Sequence, residues 1–154
     1  MKISRTALAL LAGIVIVGAL SACTATVSLE AAADSNNPAC AEVSVRLSDQ
    51  VAELTKRATD AQATGAWGNP TAVLLRCGLP PVEVSELPCV TANGVDWLVD
   101  ESAKPSYRFI TFGRNPATEV IVDSTKAAGV TALSDLSSAI QSIEATKECS
   151  TVTN

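Results

Sequence analysis

Five cysteines, at positions 23, 40, 77, 89 and 149, constrain this 154-residue chain more than any other feature of it. An odd number is awkward wherever disulfides form, because one thiol is left over. The setting of the first cysteine accounts for the odd one. The chain opens "MKISR", and Lys2 and Arg5 are its only charges before Glu30. An apolar run of 15 residues follows, "TALALLAGIVIVGAL". A positive start and a short apolar run are the first parts of an export signal. The run is shorter than the roughly 18–20 residues that cross a bilayer as a helix. "LSAC", Leu20 to Cys23, then has the form of a bacterial lipobox: an aliphatic residue, two small residues and a cysteine. The thiol must accept a diacylglyceryl group, and the peptide bond before it must enter a peptidase with little room for side chains. An uncleaved anchor helix, or an ordinary signal with a chance cysteine, does not explain the order of the three parts.

Residues 1–22 are therefore read as a lipoprotein signal peptide and Cys23 as the lipidation site. Two acyl chains of the palmitate kind anchor stably where one would be marginal. The expected location is the outer face of the cytoplasmic membrane. Cleavage leaves 132 residues with a formal charge of −7. That charge argues against nucleic acid as a partner, and against a polybasic grip on anionic headgroups. The whole chain lacks histidine, which removes Ser-His-Asp and Cys-His catalysis and every histidine metal site. "GAWGNP" and "FGRNP" have the wrong spacing for a phosphate loop, and no serine stands in a G-x-S-x-G or S-x-x-K setting. No catalytic residue, cofactor or metal is expected.

The expected organisation is a flexible tether over residues 23–37, one disulfide-bonded domain over 38–149, and a tail over 150–154. "TATVSLEAAADSNN" carries no core pattern, so scrambling residues 25–36 should leave the melting temperature unchanged. From Ala39, Val43, Leu47, Val51 and Leu54 recur at helical spacing, and periodicity alone runs that helix to about Arg57. Pro38 suits a helix start. "TDAQATG" reads as loop. "TAVLLRCG", bounded by Pro70 and "GLPP", reads as a buried strand. Asn93-Gly94 between two apolar runs marks a hairpin. "SYRFITFG" and "TEVIVD" make a second. Leu133, Leu136, Ile140 and Ile143 fall on one face of a last helix, with Thr131 as its N-cap. The expected fold is α+β: an antiparallel sheet of four to five strands with an N-terminal and a C-terminal helix packed on one face.

Cys40, Cys77, Cys89 and Cys149 remain after lipidation. In an exported protein they are disulfide partners. A zinc site of four thiolates would want close pairs, whereas the closest two here, Cys77 and Cys89, are 12 apart. Four cysteines allow three pairings. Proximity in sequence favours Cys77–Cys89 with Cys40–Cys149.

Several stretches together resemble an actinobacterial family, domain of unknown function 3515: "CAEVSVRL", "AWGNPTAVLLRCG", "NGVDWL", "YRFITFGR" and "TEVIVD". The resemblance spans roughly Cys40 to Ile143. It implies a small exported, often lipid-anchored domain, and brings neither an activity nor catalytic residues. Many members keep the positions of Cys40 and Cys77 while lacking the other two, which implies the pairs Cys40–Cys77 and Cys89–Cys149. Members usually have a proline soon after the position of Leu47, which implies a break near Asp49, with Val51 to Thr59 extended.

The candidate binding cluster is Trp67, Asn69, Arg76, Asp96, Trp97 and Arg114, gathered at one end or face of the sheet. The plainer reading is that both tryptophans anchor the core, that Arg76 pairs with Asp96, and that Arg114 is a solvated turn residue. Asp96, Asp100 and Glu101 likewise read as acidic surface. These features point to a membrane-tethered extracytoplasmic lipoprotein acting as a non-catalytic binding module, with an envelope protein or cell-wall component as partner. The alternatives are an envelope-acting hydrolase using carboxylates and a small solute-binding lipoprotein. Cys23→Ala is expected to abolish acylation and to release the protein or stall it as a precursor. Fatty-acid labelling and membrane fractionation check this; a mature-size, membrane-retained variant would refute it.

Overall fold

The computed structural model describes residues 25–150. The signal peptide, Cys23 and residues 151–154 lie outside them. The element order is α1 (Pro38–Val45), β1 (Gln50–Val51), β2 (Leu54–Arg57), β3 (Thr64–Trp67), β4 (Val73–Leu79), β5 (Cys89–Ala92), β6 (Val95–Asp100), β7 (Ser106–Thr111), β8 (Ala117–Asp123) and α2 (Gly129–Ile140). The fold is α+β, and every strand pairing is antiparallel. The sheet has eight strands in the order β1-β2-β3-β4-β8-β7-β6-β5, where four to five were expected. Its first helix lies mid-chain, and the second lies near the C-terminus.

The extra strands come from the region that periodicity alone reads as a long helix and a loop; β1 and β2 agree with the extended chain that the family resemblance implies over Val51 to Thr59. Asn37 caps α1 by accepting the Ala39 N–H at 3.0 Å, and Pro38 occupies the first turn. The helix ends at Val45, far short of Arg57. The chain then reverses between β1 and β2 through Ala52 and Glu53, whose φ angles are 48° and 64°. Such turns usually announce themselves with Asn or Gly, and this one has neither. β3, "TGAW", is buried at all four positions, so no alternation marks it. At the other end, α2 begins at Gly129 with Ala128 at its N-cap position and no side-chain cap bond. Thr131 lies inside the helix. Ile143 is buried beyond its end.

Both helices contact one another; α1 packs on β4, and α2 on β1, β5 and β8. Between helices and sheet lies a core that includes Cys40, Val43, Trp67, Leu75, Cys77, Trp97, Val120, Leu133 and Leu136. Disulfides join Cys40 to Cys77 and Cys89 to Cys149, with Cα–Cα distances of 5.6 and 5.9 Å. The first fastens α1 to β4 inside the core. The second fastens the C-terminal segment to the start of β5. Each contributes about 2–4 kcal/mol, mainly through the unfolded chain.

Residues 25–37 do not hang free as a tether. Val27 bridges to Thr59, and the Leu29 N–H donates to Asp60 Oδ1 at 2.9 Å. The Asp34 N–H donates to Gly78 O at 3.0 Å, and Ala32 and Ser35 are buried. Gly78 has φ 109°, and a Cβ there would lie 2.5 Å from the Asp34 carbonyl carbon. Only a glycine admits the segment so close to β4. The sequence hides this because most contacts are made by main-chain groups. Scrambling residues 25–36 keeps the main-chain donors and acceptors but puts larger or charged side chains where Ala32 and Ser35 are buried, and is expected to cost about 2 kcal/mol and to lower the melting temperature by roughly 6–10 °C. Calorimetry of the purified domain checks it; an unchanged transition would mean that the buried side chains of Ala32 and Ser35 contribute nothing.

Candidate functional site

The six residues of the expected cluster are spread over the sheet. Trp67 on β3 and Trp97 on β6 stand four strand positions apart, roughly 19 Å at ordinary strand spacing. Both are fully buried in the core. The Trp67 indole N–H donates to Ser48 O at 2.9 Å. That of Trp97 is buried with no partner among the described residues. Neither ring is a surface platform. Asn69 sits in the β3–β4 turn, beside a shallow hollow shared with Glu53, Leu54 and Arg57.

Arg76 does not pair with Asp96, because β8 and β7 stand between their strands. Its partner is Glu119 on β8, directly across the ladder. Arg76 Nη2 lies 2.8 Å from Glu119 Oε2, and Arg76 Nε donates to the same oxygen at 3.0 Å. Arg108 Nε on β7 bonds the other oxygen. Glu119 is 4% exposed. Strand alternation places this carboxylate on the helix-free face, where two guanidiniums hold it.

Asp96 and Arg114 do come together. Asp96 Oδ1 accepts from the Thr91 hydroxyl and Oδ2 from the Cys149 N–H, both at 2.6 Å. Arg114 is buried in the β7–β8 turn, 5% exposed, and not solvated as expected. It donates from Nη1 to Ile143 O, and its main chain bridges to Ala145. Burial pulls its pKa down, and the charge of Asp96 opposes that fall. A hollow of about 410 Å³ lies here, lined among others by Thr91, Asp96, Phe112, Arg114, Lys147 and Cys149. With both Asp96 oxygens taken by donors, the constellation suits fastening of the C-terminal segment better than proton transfer.

The most apolar concavity lies elsewhere. A groove of about 310 Å³ opens between the first turn of α2 and β5–β8. Val90, Tyr107, Phe109, Val122, Val130 and Leu133 line it. Tyr107 and Phe109 stack with centroids 6.4 Å apart, and Lys104 Nζ stands 5.6 Å from the Tyr107 centroid. Val130 is 72% exposed and Val90 39%. Sequence reading missed this site. The signal was present in Val130, three residues before Leu133 and hence on the core stripe of α2, where the first turn overhangs the sheet edge.

Among the described residues no group of three or more His, Cys, Asp or Glu is placed to hold a metal ion, and no helix is long and apolar enough to cross a membrane. Glu119→Gln is expected to cost about 2–3 kcal/mol, less than a fully buried pair would, because about a third of each arginine side chain already meets water. A double-mutant cycle in urea should show coupling between Arg76 and Glu119 and none between Arg76 and Asp96. The reverse result would contradict this pairing.

A family model described as "Protein of unknown function (DUF3515)" matches residues 5–149, so the chain belongs to that family. Comparison with curated proteins and with solved structures gives no match.

Proposed function

Taking that family membership as the premise, we propose that the protein is an extracytoplasmic lipoprotein, anchored through Cys23 on the outer face of the cytoplasmic membrane. Its folded part acts as a non-catalytic module binding an extended apolar segment of an envelope protein. The observation that carries the reading is the apolar groove lying beside an open sheet edge. β5 is the last strand of the sheet. The Phe112 N–H donates to Asp96 O at 2.9 Å, so the Asp96 main chain faces β7. Opposite residues in an antiparallel pair alternate between bonded and non-bonded. Thr91, opposite Asp96, therefore turns its own N–H and C=O outward.

Edges are usually blunted by charge, proline or shortness. β1, the other edge, has two residues. β5, "CVTA", is uncharged and carries the exposed Val90. A guest strand on β5 would gain main-chain hydrogen bonds and place an alternate apolar side chain in the groove. A solute receptor would draw on the same groove, whose volume stands at the low end for small-molecule sites. The hydrolase reading loses support where Asp96 is occupied by two donors.

Selection of a random peptide library on the immobilised domain tests the reading. Selected peptides should be apolar at alternate positions. They should lose about tenfold in affinity (about 1.4 kcal/mol) with Thr91→Pro relative to Thr91→Val, and with Val130→Asp relative to the unchanged domain. Proline at 91 removes an outward N–H and the hydroxyl that donates to Asp96, and Thr91→Val controls for the hydroxyl. Selection of no peptide, or of peptides indifferent to both substitutions, would overturn the proposal.

A further inference from the structure

Thr24 alone separates Cys23 from Ala25, and from Ala25 onward the chain is bound to the fold. The Ala25 carbonyl accepts from Arg57 Nη2 at 2.6 Å, and Nη1 of the same guanidinium donates to Thr71 Oγ1 at 2.8 Å. The Val27 N–H donates to Ala58 O at 2.9 Å. Leu29 follows, bonded to Asp60. Two residues of extended chain reach about 7 Å at most. A lipid attached at Cys23 would thus be held within one short step of the folded surface.

We infer, resting on the lipidation reading above, that this domain is not suspended from the membrane but docks on the phospholipid headgroups with one fixed end of its sheet down. The strand register identifies that end. Arg57 ties Ala25 to the β3–β4 turn through Thr71. Val73, which follows this turn, pairs with Val122, and Val122 with Tyr107. Ser106 pairs with Asp123. The β3–β4 turn, the β6–β7 turn and the start of the β8–α2 connection therefore share the membrane end. The β5–β6 turn at Asn93 and the β7–β8 turn at Asn115 share the far end. β8 has seven residues, which sets the two ends about 20 Å apart.

Charge does not create this docking. Lys104 and Lys126 at the membrane end each pair with a neighbouring acid, Glu101 and Asp123, while Lys56 and Arg57, opposite Trp67 and Ala66, donate to the main-chain carbonyls of Leu47 and Ala25. The orientation comes from the short covalent leash and from the anchoring of residues 25–29. It follows that the leash, and not a basic patch, is what a variant must change to reorient the domain.

The test uses acylated full-length mature protein in phosphatidylcholine–phosphatidylglycerol vesicles carrying a headgroup quencher. A fluorescent residue is introduced singly at Asn69, Thr125, Asn93 or Asn115, all exposed. Quenching at 69 and 125 should exceed that at 93 and 115 severalfold. A long Gly/Ser insertion between Thr24 and Ala25 should abolish the difference while leaving acylation and melting temperature intact. Equal quenching at all four positions in acylated, vesicle-bound protein would overturn the docked orientation and leave the lipoprotein reading standing. A mature protein whose mass carries no acyl chains would overturn both.

Discussion

The pairing of β4 with β8 is the contact on which the remaining architecture depends. It joins residues 38 to 49 positions apart in the chain, from Leu79↔Ala117 to Val73↔Val122. Everything before β4 builds outward on one side as β3, β2 and β1. Everything between β4 and β8 builds outward on the other as β7, β6 and β5. Such a long-range ladder carries a closure entropy that short hairpins avoid. Two devices support it. On the helix face the Cys40–Cys77 disulfide fastens β4 to α1. On the opposite face Glu119 of β8 bonds Arg76 of β4 and Arg108 of β7. One carboxylate thus ties three neighbouring strands where no helix covers them.

The two ends of the chain are held in different ways. Residues 25–37 lie against the sheet through main-chain hydrogen bonds and the space above Gly78. The C-terminal segment is held by Cys149, by the Asp96 carboxylate on the Cys149 N–H, and by Thr146 on Gly113 O. Asp96 and Arg114 drew notice as binding residues and are explained by this fastening. β5 shares in this fastening through Cys89 and the Thr91 hydroxyl, but the apolar groove and the outward main chain of Thr91 are not consumed by it.

What the sequence by itself determined follows from local chemistry. The Asn93-Gly94 hairpin, the Pro38 helix start, the buried β4 and β8 strands and the apolar stripe of α2 all have signals within a few residues. Four cysteines announced a covalent framework, and family resemblance pointed to its pairing. The tertiary structure alone decided the rest, because the rest depends on neighbours distant in sequence. Ala52 and Glu53 turn with positive φ where no glycine advertises it; helical periodicity runs straight through β1 and β2, and only the family resemblance implied extended chain there. Arg76 could be given an acid partner from sequence but not the right one, since only the β4–β8 crossover brings Glu119 opposite. The groove needed α2 to overhang β5, and the segment from Ala25 needed Gly78 and Asp60 to receive it. Periodicity reports which side of an element is apolar; it does not report what stands across from it.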